Sequence, residues 1–120
     1  MQLALKRIIL FTPDIARMTA FYRDGLGLAV QLNEGDWVEL DGVALHMIPD
    51  AIAAGITIGD PPRPREDTAI KLVFAAPDLA AARAHLIAAG AQMGEIKPWG
   101  ACDGVDPEGN VFQIVPAASE

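Results

Sequence analysis

One stretch of this chain occurs twice, and that repetition restricts the possible folds more than any other feature. Thr12-Pro13-Asp14-Ile15-Ala16 opens a helical run that closes at Gly25-Leu26-Gly27-Leu28. Pro77-Asp78-Leu79-Ala80 opens another, 64 positions later, closing at Gly90-Ala91. Each follows a strand-like run, Ile8-Ile9-Leu10-Phe11 and Leu72-Val73-Phe74. A repeat at this distance signals a duplicated supersecondary unit. A second correspondence has an offset of 67: Asp41-Gly42 leads to Pro49 as Glu108-Gly109 leads to Pro116. A loop insertion between repeats accounts for the small change.

Within each repeat the hydrophobic period assigns the elements. Alternation over residues 4–11 predicts a strand with Leu5, Arg7, Ile9 and Phe11 on one face and Lys6, Ile8 and Leu10 on the other. Thr12 is the expected helix cap, with Pro13 at the first helical position, where a missing N–H is no loss. Ile15, Met18, Phe21, Tyr22 and Leu26 recur at helical spacing, and Gly25 or Gly27 can end the helix. Three strands follow near 28–33, 36–41 and 43–48, joined by Asn33-Glu34-Gly35-Asp36 and by Asp41-Gly42.

Between repeats, Pro61-Pro62-Arg63-Pro64-Arg65 can continue neither a helix nor a central strand. A helical turn fits within 51–58. The second repeat is read as a strand at 69–75 and a helix at 77–89 with Leu79, Ala82, Leu86 and Ile87 inward. Strands near 91–96, 100–105 and 110–115 complete it. The fold class is therefore α+β: two βαβββ modules in one domain, module 1 about 1–49, linker about 50–67, module 2 about 68–120. Two helices would cover one face of a combined curled sheet, the other face enclosing a cavity.

Composition narrows the partners. A net charge of −7, with no basic stripe among aromatics, argues against nucleic acid. The single Cys102 cannot form an internal disulfide, which fits a reducing compartment. Lys6 and Arg7 interrupt the first apolar run, unlike a signal peptide, and no run approaches the ~20 residues of a membrane span. A cytoplasmic protein without a membrane partner is expected.

The order βαβββ-βαβββ resembles the vicinal oxygen chelate superfamily, which includes glyoxalase I, extradiol dioxygenases, fosfomycin-resistance enzymes and bleomycin-resistance proteins. Phe21-Tyr22-Arg23-Asp24-Gly25-Leu26-Gly27-Leu28 is similar to its first helix ending. Pro98-Trp99-Gly100 followed by Asp106-Pro107-Glu108-Gly109-Asn110 is similar to its second repeat. In metal-dependent members, the resemblance implies four inward ligands, usually histidine and glutamate, on the first and last strands of each repeat. The matching positions here are Arg7 and Lys71, related by the offset of 64, and His46 and Gln113, related by 67. Two cations and an amide are poor ligands. No metal and no other cofactor is expected.

The leading function is then a metal-free protein that binds a small molecule, possible roles being sequestration or resistance, as in bleomycin-resistance proteins. Its ligand-binding candidates are Arg7, His46, Lys71, Gln113, Trp37 and Trp99, the two indoles stacking on a planar ligand. An acidic balance suits a cationic drug, while Arg7 and Lys71 oppose one. One alternative is a divalent-metal-dependent lyase or dioxygenase, in which Glu39, Glu95, Asp103 or Glu108 joins His46 or His85. Another is a metal-free enzyme with His46 as general base, since imidazole titrates near neutrality. His85 reads as a surface residue and Cys102 as packing. Positive charge at Arg7 and Lys71 calls for a protein carboxylate, Glu39 first by alternation, or an anionic ligand. The resemblance also implies a symmetric homodimer, with an interface above about 1,000 Å² and a cavity open to contributions from both chains.

Overall fold

The computed structural model describes residues 1–117; the expected end of module 2, at 120, lies outside them. The chain divides into two compact units, Met1–Thr57 and the remainder from Ile58. The fold is α+β, with one four-stranded mixed sheet in each unit rather than the single combined sheet expected.

The first unit contains β1 (Ile8–Thr12), α1 (Ile15–Ala20), a π-helical turn (Phe21–Gly25), β2 (Val30–Asn33), β3 (Trp37–Leu40), β4 (Val43–Met47) and a short α2 (Asp50–Ala53). Its strand order is β1-β4-β3-β2, with β1 parallel to β4 and the other pairs antiparallel. The strand begins at Ile8 rather than residue 4 because its partner begins at Val43. Ile8 pairs with Val43 and donates to the Gly42 carbonyl, and beyond that the partner turns away. Gly42, at φ 78°, makes that turn where a side chain would be strained.

Pairing of Val38 with Leu45 and of Trp37 with His46 assigns the two faces of this sheet. Val38, Leu40, Val43 and Leu45 are buried with Met18, Phe21 and Tyr22 from the helical segment, and α1 lies against β4. Each such side chain contributes about 1.5–3 kcal/mol when fully buried. Arg7, Ile9, Phe11, Trp37, Glu39 and His46 occupy the second face.

Helix capping corrects the sequence expectation. Asp14, not Thr12, caps α1: its carboxylate accepts from Arg17 N, and Pro13 stands outside the helix. Thr12 is buried, its hydroxyl accepting from Asp14 N. Asp78 caps the helix of the second unit in the same way, accepting from Ala81 N. A carboxylate at this point satisfies an orphan N–H and also meets the positive end of the helix. Gly27, at φ 74°, takes the left-handed position, whereas Gly25 remains within the π-helical turn.

The second unit contains β5 (Leu72–Ala76), α3 (Leu79–Ala88), β6 (Gln92–Met93), β7 (Cys102–Val105) and β8 (Val111–Pro116), in the order β5-β8-β7-β6. β1 and β5 are offset by 64 at both ends. β6 is much shorter than expected, because Lys97 N bonds the Ala101 carbonyl and residues 97–100 form a turn ending at Gly100, φ 87°. Along α3, Leu86 is buried and Leu79 and Ala82 half-buried, but Ile87 is 47% exposed, contrary to expectation. At about 100° per residue it lies roughly a quarter of a turn from Leu86, outside the seam of residues 79, 82 and 86. Gly104 sits where a Cβ would fall 2.6 Å from Phe112 Cζ, so this strand tolerates no side chain there without movement.

Candidate functional site

The second face of the first sheet carries a connected set of side chains. Arg7 Nη2 lies 3.4 Å from Glu39 Oε1, and Trp37 Nε1 donates to Glu39 Oε2 at 2.8 Å. The Trp37 ring stands edge-on to His46, centroids 5.5 Å apart at 72°. Phe11, the ladder partner of His46, lies 5.7 Å from it at 42°. Beside these rings opens a cavity of about 670 Å³. It is lined by the run from His46 to Asp50 together with Phe11, Asp36 and Ile52.

In the second unit Lys71 Nζ lies 3.3 Å from Asp103 Oδ1, which also accepts from Gln113 Nε2 at 3.2 Å. The Lys71–Asp103 pair is the counterpart of Arg7–Glu39. Each spans 32 residues, and each member is 64 positions from its equivalent. The duplication therefore contains a cation–carboxylate pair in each copy, and each cation is neutralised within its own unit.

Strand register corrects one correspondence. Ile9 pairs with Ala44, and Val73, 64 positions after Ile9, pairs with Gln113. Gln113 is thus the counterpart of Ala44, and His46 that of Val115. The offset of 67 aligned turns of different length, so His46 and Gln113 are not equivalent.

The other candidates belong to the second unit, each with its own local setting. Trp99 projects from the turn at 97–100 with 76% exposure. His85 is exposed on α3. Cys102 is buried, its thiol donating to the Gly94 carbonyl at 3.3 Å, and burial pushes its pKa up, as suits packing rather than nucleophilic attack. The Asp106-Pro107-Glu108-Gly109-Asn110 motif is structural. Asp106 is buried and accepts from Glu108 N, Asn110 N and Asn110 Nδ2. A Cβ on Gly109, φ 91°, would strike the Arg63 carbonyl.

A divalent ion of the kind the superfamily uses does not fit these residues. A guanidinium and an ammonium offer no lone pair, and Glu39 and Asp103 are committed to them. Among the described residues no group of three or more histidines, cysteines, aspartates or glutamates could hold an ion. The indole and imidazole beside the cavity suit noncovalent contact instead. Of the lining residues, sequence reasoning named only His46 and missed Phe11, Asp36, Ile52 and the run 47–50. Alternation had put Phe11 on the face of Arg7, which was the one available signal.

Among solved structures the fold is close to that of a glyoxalase/bleomycin resistance protein/dioxygenase family enzyme from Burkholderia phytofirmans PsJN. That match has a TM-score of 0.70 and 22% identity, and covers 97% of this chain and 100% of that one. A fosfomycin resistance protein from Listeria monocytogenes matches at TM-score 0.67 and 16% identity, over 98% and 93% of the two chains. The bleomycin-binding protein of Streptomyces verticillus, solved with copper(II)-bleomycin, matches at TM-score 0.61 and 16% identity, over 98% and 100%. At these identities the likeness is one of fold. A comparison with curated proteins finds no significant match. The sequence matches the glyoxalase-like domain family over residues 7–115. Since that span takes in both repeats, the chain belongs to the glyoxalase-like domain family, within the vicinal oxygen chelate superfamily.

Proposed function

We propose that this protein binds a small organic molecule noncovalently against Phe11, Trp37 and His46, without a metal ion. The observation that carries the reading is the ring trio beside a cavity of about 670 Å³. That volume is within the ordinary range for small-molecule sites, roughly 300–1,000 Å³. Rings give large contact area at low entropic cost, and one structural relative is itself a bleomycin-binding protein. Arg7 balances Glu39 in the first unit and Lys71 balances Asp103 in the second, so neither cation requires an external anion. General-base catalysis by His46 lacks an orienting partner, since its ring nitrogens make no hydrogen bond among the described residues. Leu3 and Leu5, 84% and 86% exposed, support the expected homodimer; a monomer at micromolar concentration by light scattering overturns that part.

The test is a panel of flat organic compounds titrated against the protein carrying Trp99→Phe, so that Trp37 alone reports. Ligands are expected to quench Trp37, and Phe11→Ala or His46→Ala to weaken them about 10-fold or more, as anchors do. Affinities unchanged in both variants overturn the reading, as does chemical conversion of a bound compound.

A further inference from the structure

We propose that the ligand of the Phe11–His46 cavity is an organic cation, a flat apolar body carrying an ammonium or amidinium group; this rests on the binding function proposed above. The cavity wall has a distinct chemistry. Its charged side chains are two carboxylates, Asp36 and Asp50, and no lysine or arginine lines it. Both are exposed, and neither carboxylate has a hydrogen-bond or ion-pair partner among the described residues. Glu39 and Asp103, on the sheet faces, are each matched with a cation.

Both acids are held where they stand by backbone bonds. Met47 N donates to the Asp36 carbonyl at 2.9 Å, and Ala54 N to the Asp50 carbonyl at 2.9 Å. Their backbones are thus anchored at the same cavity as Phe11, which is 63% exposed, and His46, and each carries its negative charge there. An exposed ring face attracts a cation through its quadrupole. Ile52, 59% exposed, and Met47 complete an apolar wall that an aliphatic or aromatic body can cover. Negative charge at two points, ring faces and an apolar wall together select a cation with a hydrophobic body. A hydrophilic anion is repelled, and a neutral molecule gains nothing from the two charges.

Three compounds of one shape separate these cases: 9-(aminomethyl)anthracene, 9-anthracenemethanol and 9-anthracenecarboxylate, titrated by calorimetry. The amine is expected to bind at least about 10-fold more tightly than the alcohol or the acid. Raising salt from 50 to 500 mM should shrink that margin, because exposed carboxylates are screened. The double variant Asp36→Asn/Asp50→Asn should erase the preference while leaving the alcohol's affinity unchanged. Ile52→Lys, which removes part of the apolar wall and puts a cation there, should weaken the amine more than the alcohol. Equal affinity for the three compounds, or a preference that survives the double variant, overturns the inference. If the amine fails while neutral or anionic members of the wider panel quench Trp37, the charge assignment is wrong and the binding function stands. If nothing binds, both are wrong.

Discussion

Glu39 Oε2 lies 2.8 Å from the indole nitrogen of Trp37, and this bond sets the ring edge-on to His46. The other oxygen faces Arg7, both side chains being less than a third exposed. Replacing Glu39 by Leu removes the acceptor of two donors at once. We expect Glu39→Leu to destabilise the protein by about 1–3 kcal/mol, the cost of unsatisfied polar groups in partly buried positions. In a Trp99→Phe background the emission of Trp37 should also shift, whereas Asp103→Leu should leave it unchanged. Urea denaturation followed by fluorescence measures both; an unshifted emission in Glu39→Leu would show that Glu39 does not position the ring.

Asp106 should be the most sensitive polar residue of the second unit. It is fully buried and accepts three hydrogen bonds within four residues. Asp106→Ala is expected to cost about 3 kcal/mol or more, among the larger single-substitution effects. Asp106→Asn should fall between, keeping an acceptor for the backbone but turning a donor toward the Asn110 amide. A loss under about 1 kcal/mol for the alanine variant, from chemical denaturation, contradicts the assignment.

Burial raises the Cys102 thiol pKa in the folded state. The thiol form is thus favoured by folding, and its contribution is complete below the unfolded value, about 8.5. It is lost as pH rises through the higher folded value. Stability should therefore decline above about pH 8.5, and Cys102→Ala should remove that part of the decline. At pH 8 iodoacetamide should label native protein slowly and urea-unfolded protein quickly. Rapid labelling without denaturant counts against it.

Divalent ions should not stabilise the fold. A bound ion at a hundredfold excess over its dissociation constant would add about 2.7 kcal/mol and raise Tm visibly. With Arg7 and Lys71 paired to Glu39 and Asp103, no such rise is expected from Ni²⁺, Zn²⁺, Mn²⁺ or Fe²⁺. Elemental analysis finding one ion per chain, coordinated by His46, would overturn this.

The duplicated architecture was legible in the chain because its signals are local. Apolar runs at 8–12 and 72–76, an Asp capping α1 and α3, and glycines at 42 and 90 with positive φ depend on near neighbours. The capping residue was misplaced by two positions, since Thr12 and Asp14 both carry cap chemistry and only backbone geometry separates them. Arg7 and Lys71 were matched through the family resemblance, with the offset of 64 relating them, and alternation named Glu39 as the carboxylate nearest to them. Other relationships needed the tertiary fold. The ladder makes Gln113 the counterpart of Ala44 rather than His46, because turn lengths differ and parallel pairing sets register independently of them. Asp103 meets Lys71, Trp37 donates to Glu39, and Phe11 joins Asp36 and Asp50 around one cavity. A sequence pattern assigns a side chain to a face, but which distant side chain lies within 3–4 Å of it is decided by strand pairing and side-chain length.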